Sequence, residues 1–177
     1  MSKNYFDNSK PRLIVVGNGM VGHRFVEAAA ERGLLAKFAT TVLSEESRLA
    51  YDRVNLSKWF DGKSDAELSL VSEGQYEELG VEVVRGDAAV ELDRNARTVR
   101  LASGRELRYD ELVLATGSYP FVPPIKGCNA PGCYVYRTID DLVAIRDAAQ
   151  NATTAAVIGG GLLGLILLIV IIVLILR

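Results

Sequence analysis

The stretch Arg12-Leu-Ile-Val-Val-Gly17-Asn-Gly19-Met-Val-Gly22 decides the fold. Its first five residues are a short apolar run rich in β-branched side chains, the pattern of a parallel strand buried on both faces. That strand runs directly into the three glycines of a G-x-G-x-x-G loop. Val21, Phe25, Ala28 and Ala29 then recur at helical spacing, and Gly33 after Glu31-Arg32 predicts the end of the helix. A second apolar strand is predicted over Ala39 to Leu43, leading into Ser44-Glu45-Glu46. Glu45 lies 23 residues beyond Gly22, near the offset of about 20 at which a dinucleotide-binding βαβ unit carries its acid.

The chemistry of such a unit accounts for each position. Gly17 permits the tight turn from strand to helix, and Gly19 lets a pyrophosphate approach the backbone between Asn18 and Met20. Gly22 lets helix and strand pack closely. Free N–H groups around Val21 and the positive end of the helix dipole favour phosphate. Glu45 is placed to accept hydrogen bonds from ribose hydroxyls, with the adjacent Glu46 as the alternative. A plain glycine turn between packed elements would require no acid after the second strand. The fingerprint alone does not separate FAD from NAD.

Composition sets the outer bounds. A chain of 177 residues allows about one domain and a fraction. Charged residues make up 24%, and 20 Lys+Arg against 22 Asp+Glu leave a net charge of −2, without the basic excess of a nucleic-acid binder. The mean hydropathy of +0.17 comes from the C-terminus, where Leu165 to Leu176 are all Leu, Ile or Val. As a helix, the uncharged stretch from Ala155 to Leu176 would span about 33 Å, enough to cross a bilayer core. Met1 to Pro11 is polar and shows no secretory signal. Two cysteines, Cys128 and Cys133, are too few for a disulfide framework and suit a reducing compartment. A cytoplasmic location is expected, with a membrane anchor at residues 155–176 as the alternative.

Between Val81 and Leu114 the sequence predicts short strands with turns at Asp93-Arg94-Asn95 and Ser103-Gly104. Tyr109 to Ala115 ends a strand and leads into Thr116-Gly117-Ser118. Taken alone, that last feature reads equally well as an ordinary strand-end turn. A second glycine motif follows at Val157-Ile158-Gly159-Gly160-Gly161-Leu162-Leu163-Gly164-Leu165.

Ala115-Thr116-Gly117, the front fingerprint and this second motif together resemble the FAD/NAD(P)-dependent pyridine-nucleotide oxidoreductases. Several segments look like the N-terminal part of NAD(P)H-dependent nitrite reductase large subunits: Gly17 to Phe25, Ala50-Tyr-Asp-Arg-Val54, Glu67 to Val71, Ala115 to Pro120 and Pro124 to Gly127. The resemblance runs from about Pro11 to Leu165. It implies an α/β fold: a Rossmann-like FAD-binding domain with an inserted β-meander, the start of a second Rossmann-like domain, then an apolar C-terminal helix. The expected divisions are a flexible N-terminus at 1–10, the FAD-binding domain at 11–150, the start of an NAD(P)H-binding domain at 151–165 and an apolar tail at 166–177.

By the same resemblance, FAD is held by the first glycine loop, by Glu45, by Arg53 and Lys58 as cations for the pyrophosphate, by backbone near Ala89 and by the Ala115-Thr116-Gly117 turn; Arg137 has a weaker claim on the flavin. Electrons would pass from NAD(P)H through FAD to downstream redox domains or a partner subunit. Siroheme and an iron–sulfur cluster would belong to C-terminal domains beyond this sequence. Cys128 and Cys133 bracket a turn-prone loop away from the first helix, so they read as free thiols rather than a redox pair. His23, the single histidine, reads as a helix-start residue serving local structure.

The family pattern after the second glycine motif continues with Glu-Ala-Ala, whereas this sequence continues with Ile166 to Leu176, of which seven of eleven residues are β-branched. The expectation is a truncated fragment that binds FAD and is inactive alone. The alternative is a non-catalytic or membrane-tethered dinucleotide-binding module.

Overall fold

The computed structural model describes residues 10–72 and 74–157. Its elements in chain order are β1 (Arg12–Val16), α1 (Met20–Glu31), β2 (Ala39–Ser44), a one-turn 3₁₀ helix (Leu56–Trp59), α2 (Asp65–Leu68) and α3 (Gln75–Glu78). They continue with β3 (Val81–Arg85), β4 (Ala89–Asp93), β5 (Thr98–Leu101), β6 (Glu106–Arg108), β7 (Glu111–Leu114) and α4 (Ile139–Ala149).

The apolar run of β1 places it inside a parallel sheet of order β3-β2-β1-β7. Alternate residues of β1 enter different cores. Leu13 and Val15 pack with Val26 of α1, Val42, Val81 and Tyr76, while Ile14 and Leu43 pack on the opposite face with Val99 and Leu101. Val99 and Leu101 belong to β5, the centre of an antiparallel three-stranded sheet of order β4-β5-β6. Helices therefore cover one face of the parallel sheet and the meander covers the other, which is why β1 reads as continuously apolar rather than alternating.

The turns follow from named side chains. Asp93 Oδ1 accepts from the Asn95 and Ala96 amides at 2.8 Å each, and Gly104 supplies the left-handed residue of the next turn at φ +87°. Helix α1 ends where Gly33 turns left-handed and the Leu34 amide reaches back to the Ala29 carbonyl at 2.8 Å. These match the elements predicted from the sequence.

At the C-terminal side, the expected start of a second domain at 151–165 is described only as far as Val157. Ala155, Ala156 and Val157 form no strand, and Val157 is almost fully exposed. A parallel strand requires a neighbour for its ladder, and no described strand pairs with this stretch. Ile158, the second glycine motif and the expected apolar helix lie outside the described residues. Among the described residues no helix is long and apolar enough to cross a membrane. Contacts divide the chain into two compact units, Met1–Leu142 and Val143–Arg177.

Candidate functional site

The strand order places β1 between β2 and β7, the point at which an open α/β sheet reverses its winding and its loops diverge. Two ladder continuations hold the loops there. The Gly17 amide donates to the Leu43 carbonyl at 2.9 Å, and the Ala115 amide donates to the Val16 carbonyl at 2.8 Å. The glycine loop, the end of β2 and the Ala115-Thr116-Gly117 turn thereby meet around one cavity of about 700 Å³.

The loop glycines separate into two kinds. At Gly17, φ is +108°, and a Cβ would lie 2.3 Å from the Ala115 carbonyl oxygen. A Cβ on Gly22 would lie 1.9 Å from the Gly17 carbonyl oxygen. Both positions exclude any side chain by close approach of backbone. Gly19 has ordinary dihedrals, and a Cβ there would meet nothing within 4 Å, so the space beside it is open cavity. Gly19 also caps α1 without a side chain, and no acid lies in the first turn. The first-turn N–H groups therefore face the cavity without a protein anion, an arrangement that suits a phosphate.

Asn18 lines the cavity and is buried, with its Oδ1 accepting from the Tyr76 hydroxyl at 2.8 Å. Its Nδ2 is buried and has no partner. An unsatisfied buried donor costs about 1–3 kcal/mol, a penalty that a ligand oxygen could relieve.

The far wall carries the charge. Exposed Glu45 accepts from the Tyr119 hydroxyl at 2.8 Å, and that contact raises the Tyr119 pKa. Glu46 is more deeply engaged: it accepts from the Tyr51 hydroxyl at 2.7 Å and pairs with the Arg53 guanidinium. Arg53 also lies over the Tyr51 ring, 5.3 Å from its centroid. Burial, then the Glu46 carboxylate, raise the Tyr51 pKa far above the ordinary tyrosine value. Arg48 bridges Asp65 of α2 and Asp140 of α4, which fixes the rim.

Of the residues singled out in the sequence, Gly17, Asn18, Gly19, Met20, Val21, Glu45, Arg53, Ala115, Thr116, Gly117 and Arg137 line this cavity. Gly22 stands behind it as a packing residue. Lys58 is exposed on the 3₁₀ turn and Ala89 packs beside the Ile14 core, so neither lines it. Gly86, which no sequence motif marks, does line it; its amide donates to the Glu46 carbonyl at 3.1 Å. The signal for Gly86 is its place just after β3, because the C-terminal ends of parallel strands share one rim. Both cysteines are free thiols. His23 is buried and bonded to Tyr76 through Nδ1 at 3.1 Å.

This sheet, its switch-point cavity and its glycine loop define a nucleotide-binding oxidoreductase fold, and the sequence matches the pyridine nucleotide-disulphide oxidoreductase family over residues 11–172. The chain belongs to that family. It is 50% identical over 151 residues to the nitrite reductase (NADH) large subunit of Escherichia coli strain K12, covering 85% of this chain and 18% of that protein. It is 36% identical to the assimilatory nitrate reductase electron transfer subunit of Bacillus subtilis, covering 85% of this chain and 20% of that one. Among solved structures, NADH:rubredoxin oxidoreductase from Clostridium acetobutylicum superposes with a TM-score of 0.75 at 27% identity, over 88% of this chain and 40% of that one. The chain thus spans about a fifth of the length of these curated relatives.

Proposed function

We propose that this chain is the FAD-binding portion of an NAD(P)H-dependent flavoprotein reductase of the nitrite reductase large-subunit type. The observation that carries the reading is the meeting of glycine loop, β2 end and Ala115-Thr116-Gly117 turn around one switch-point cavity. The open space at Gly19, the α1 N-terminus without a side-chain cap and the unpartnered Asn18 amide fit a dinucleotide pyrophosphate. Glu45, exposed and bonded to Tyr119 through one oxygen, is available to a ribose. Arg53 is positioned to neutralise phosphate by exchanging part of its contact with Glu46. The Ala115-Thr116-Gly117 turn offers backbone to the rest of the ligand. Lys58 and Ala89 have no direct part in this assignment.

Bound FAD would supply two-electron acceptance from a nicotinamide and onward transfer to a redox partner. The chain's own residues bind, orient and shield it. Siroheme and iron–sulfur chemistry is assigned to parts of the enzyme other than these residues; among the described residues no cluster of three or more His, Cys, Asp or Glu is placed to hold a metal. The reading includes a cytoplasmic location, which the two free cysteines and their reducing-compartment chemistry support.

Purified chain is expected to take up FAD and show a bound-flavin spectrum that weakens in Gly19→Val and Glu45→Ala. A chain that gains neither colour nor thermal protection from FAD would overturn the reading. On the family resemblance, the 177-residue chain is expected to bind flavin without sustaining NAD(P)H oxidation to ferricyanide. Sustained turnover would contradict that second statement while leaving the first intact.

A further inference from the structure

Behind the glycine loop lies a buried chain of polar groups that the fingerprint does not contain. Tyr76 of α3, 58 residues from Asn18 in sequence, reaches the loop with its hydroxyl and is only 2% exposed. Its hydroxyl donates to Asn18 Oδ1, and its oxygen also lies 3.1 Å from His23 Nδ1. The His23 ring stands edge-on to Tyr76 with centroids 5.9 Å apart, and its Nε2 is 3.5 Å from Glu27 Oε1 on the next turn of α1.

Tyr76 engages the acceptor end of the Asn18 amide. A carboxamide has one acceptor end and one donor end. With Oδ1 held by Tyr76, the donor end is the unpartnered one, and Asn18 lines the nucleotide cavity at the α1 N-terminus. The opposite orientation would turn a carbonyl oxygen towards an anion.

We propose that Tyr76, itself oriented by His23, is a positioning residue for the dinucleotide: it fixes the Asn18 amide so that its N–H group serves a phosphate oxygen of the ligand. The inference rests on the FAD reading above and names a residue outside the fingerprint that sets affinity. It also gives His23 a role at the same site without contact to the ligand.

The test is a double-mutant cycle on the whole chain, with FAD affinity read by flavin fluorescence and folding checked by thermal melting without FAD. Tyr76→Phe removes the hydroxyl alone and is expected to weaken FAD binding roughly tenfold. In an Asn18→Ala background the same substitution is expected to change affinity less than about twofold, because the group it positions is gone. Asn18→Asp, equal in size and lacking the N–H donor, is expected to lose at least about tenfold, and it carries the test if Tyr76→Phe does not fold. Equal losses from Tyr76→Phe in both backgrounds would show a merely structural tyrosine and overturn the proposal. So would wild-type affinity in Tyr76→Phe or in Asn18→Asp. Failure of the wild-type chain to bind FAD would instead overturn the functional reading on which the proposal rests.

Discussion

At Gly22 a single methyl group would lie 1.9 Å from the Gly17 carbonyl oxygen, whereas at Gly19 the same methyl would meet nothing within 4 Å. The two glycines of one loop therefore stand in different surroundings, one against packed backbone and one beside open cavity. Gly22→Ala is expected to destabilise the fold by about 1–3 kcal/mol, measured by urea denaturation, because backbone must move to admit the methyl. Gly19→Ala is expected to cost less than about 1 kcal/mol of stability while markedly weakening FAD binding in the same preparation. Tyr76 yields a pH dependence of definite sign. Burial, then the nearby Glu27 charge, push its pKa up to about 12 from an ordinary value of 10.0. The neutral form is favoured in the folded state, so its stabilisation is complete below about pH 10 and declines as pH rises towards about 12. Unfolding titrations should show that alkaline loss, and it should be shallower in Tyr76→Phe.

The elements that carry the site differ in how openly the sequence declares them. β1, the glycine loop, α1 and β2 are legible because each is a local pattern: an apolar run, fixed glycine spacing, helical periodicity and a terminal acid. The meander is legible through its turns, since Asp93 and Gly104 act within a few residues of themselves. Tyr76 and Gly86 are not, because Tyr76 meets Asn18 and Gly86 meets Glu46 only when segments far apart in the chain are brought together. The family resemblance points to backbone near Ala89, while the cavity itself is lined by Gly86, three residues earlier. The meander's contribution to stability is measurable. Leu101, fully buried against the second face of the parallel sheet, is expected to cost about 2–5 kcal/mol when changed to Ala. Loss of only a few tenths in urea denaturation would show that the meander packs less tightly than this structure has it.

At the scale of the molecule, ligand and fold stability are linked by mass action. FAD at about a hundredfold excess over its Kd is expected to stabilise the chain by about 2.7 kcal/mol, visible as a rise in Tm. The close approach of Gly17 to Ala115 has a dynamic counterpart. A loop whose φ is +108° and whose backbone abuts a neighbouring carbonyl has no slack to swing away by itself. The Gly17 and Ala115 amides, each bonded across to an adjacent strand, should therefore become accessible to deuterium in one concerted opening, at matching rates. The two walls of the cavity then behave as a single latch, released only when the centre of the sheet itself breathes.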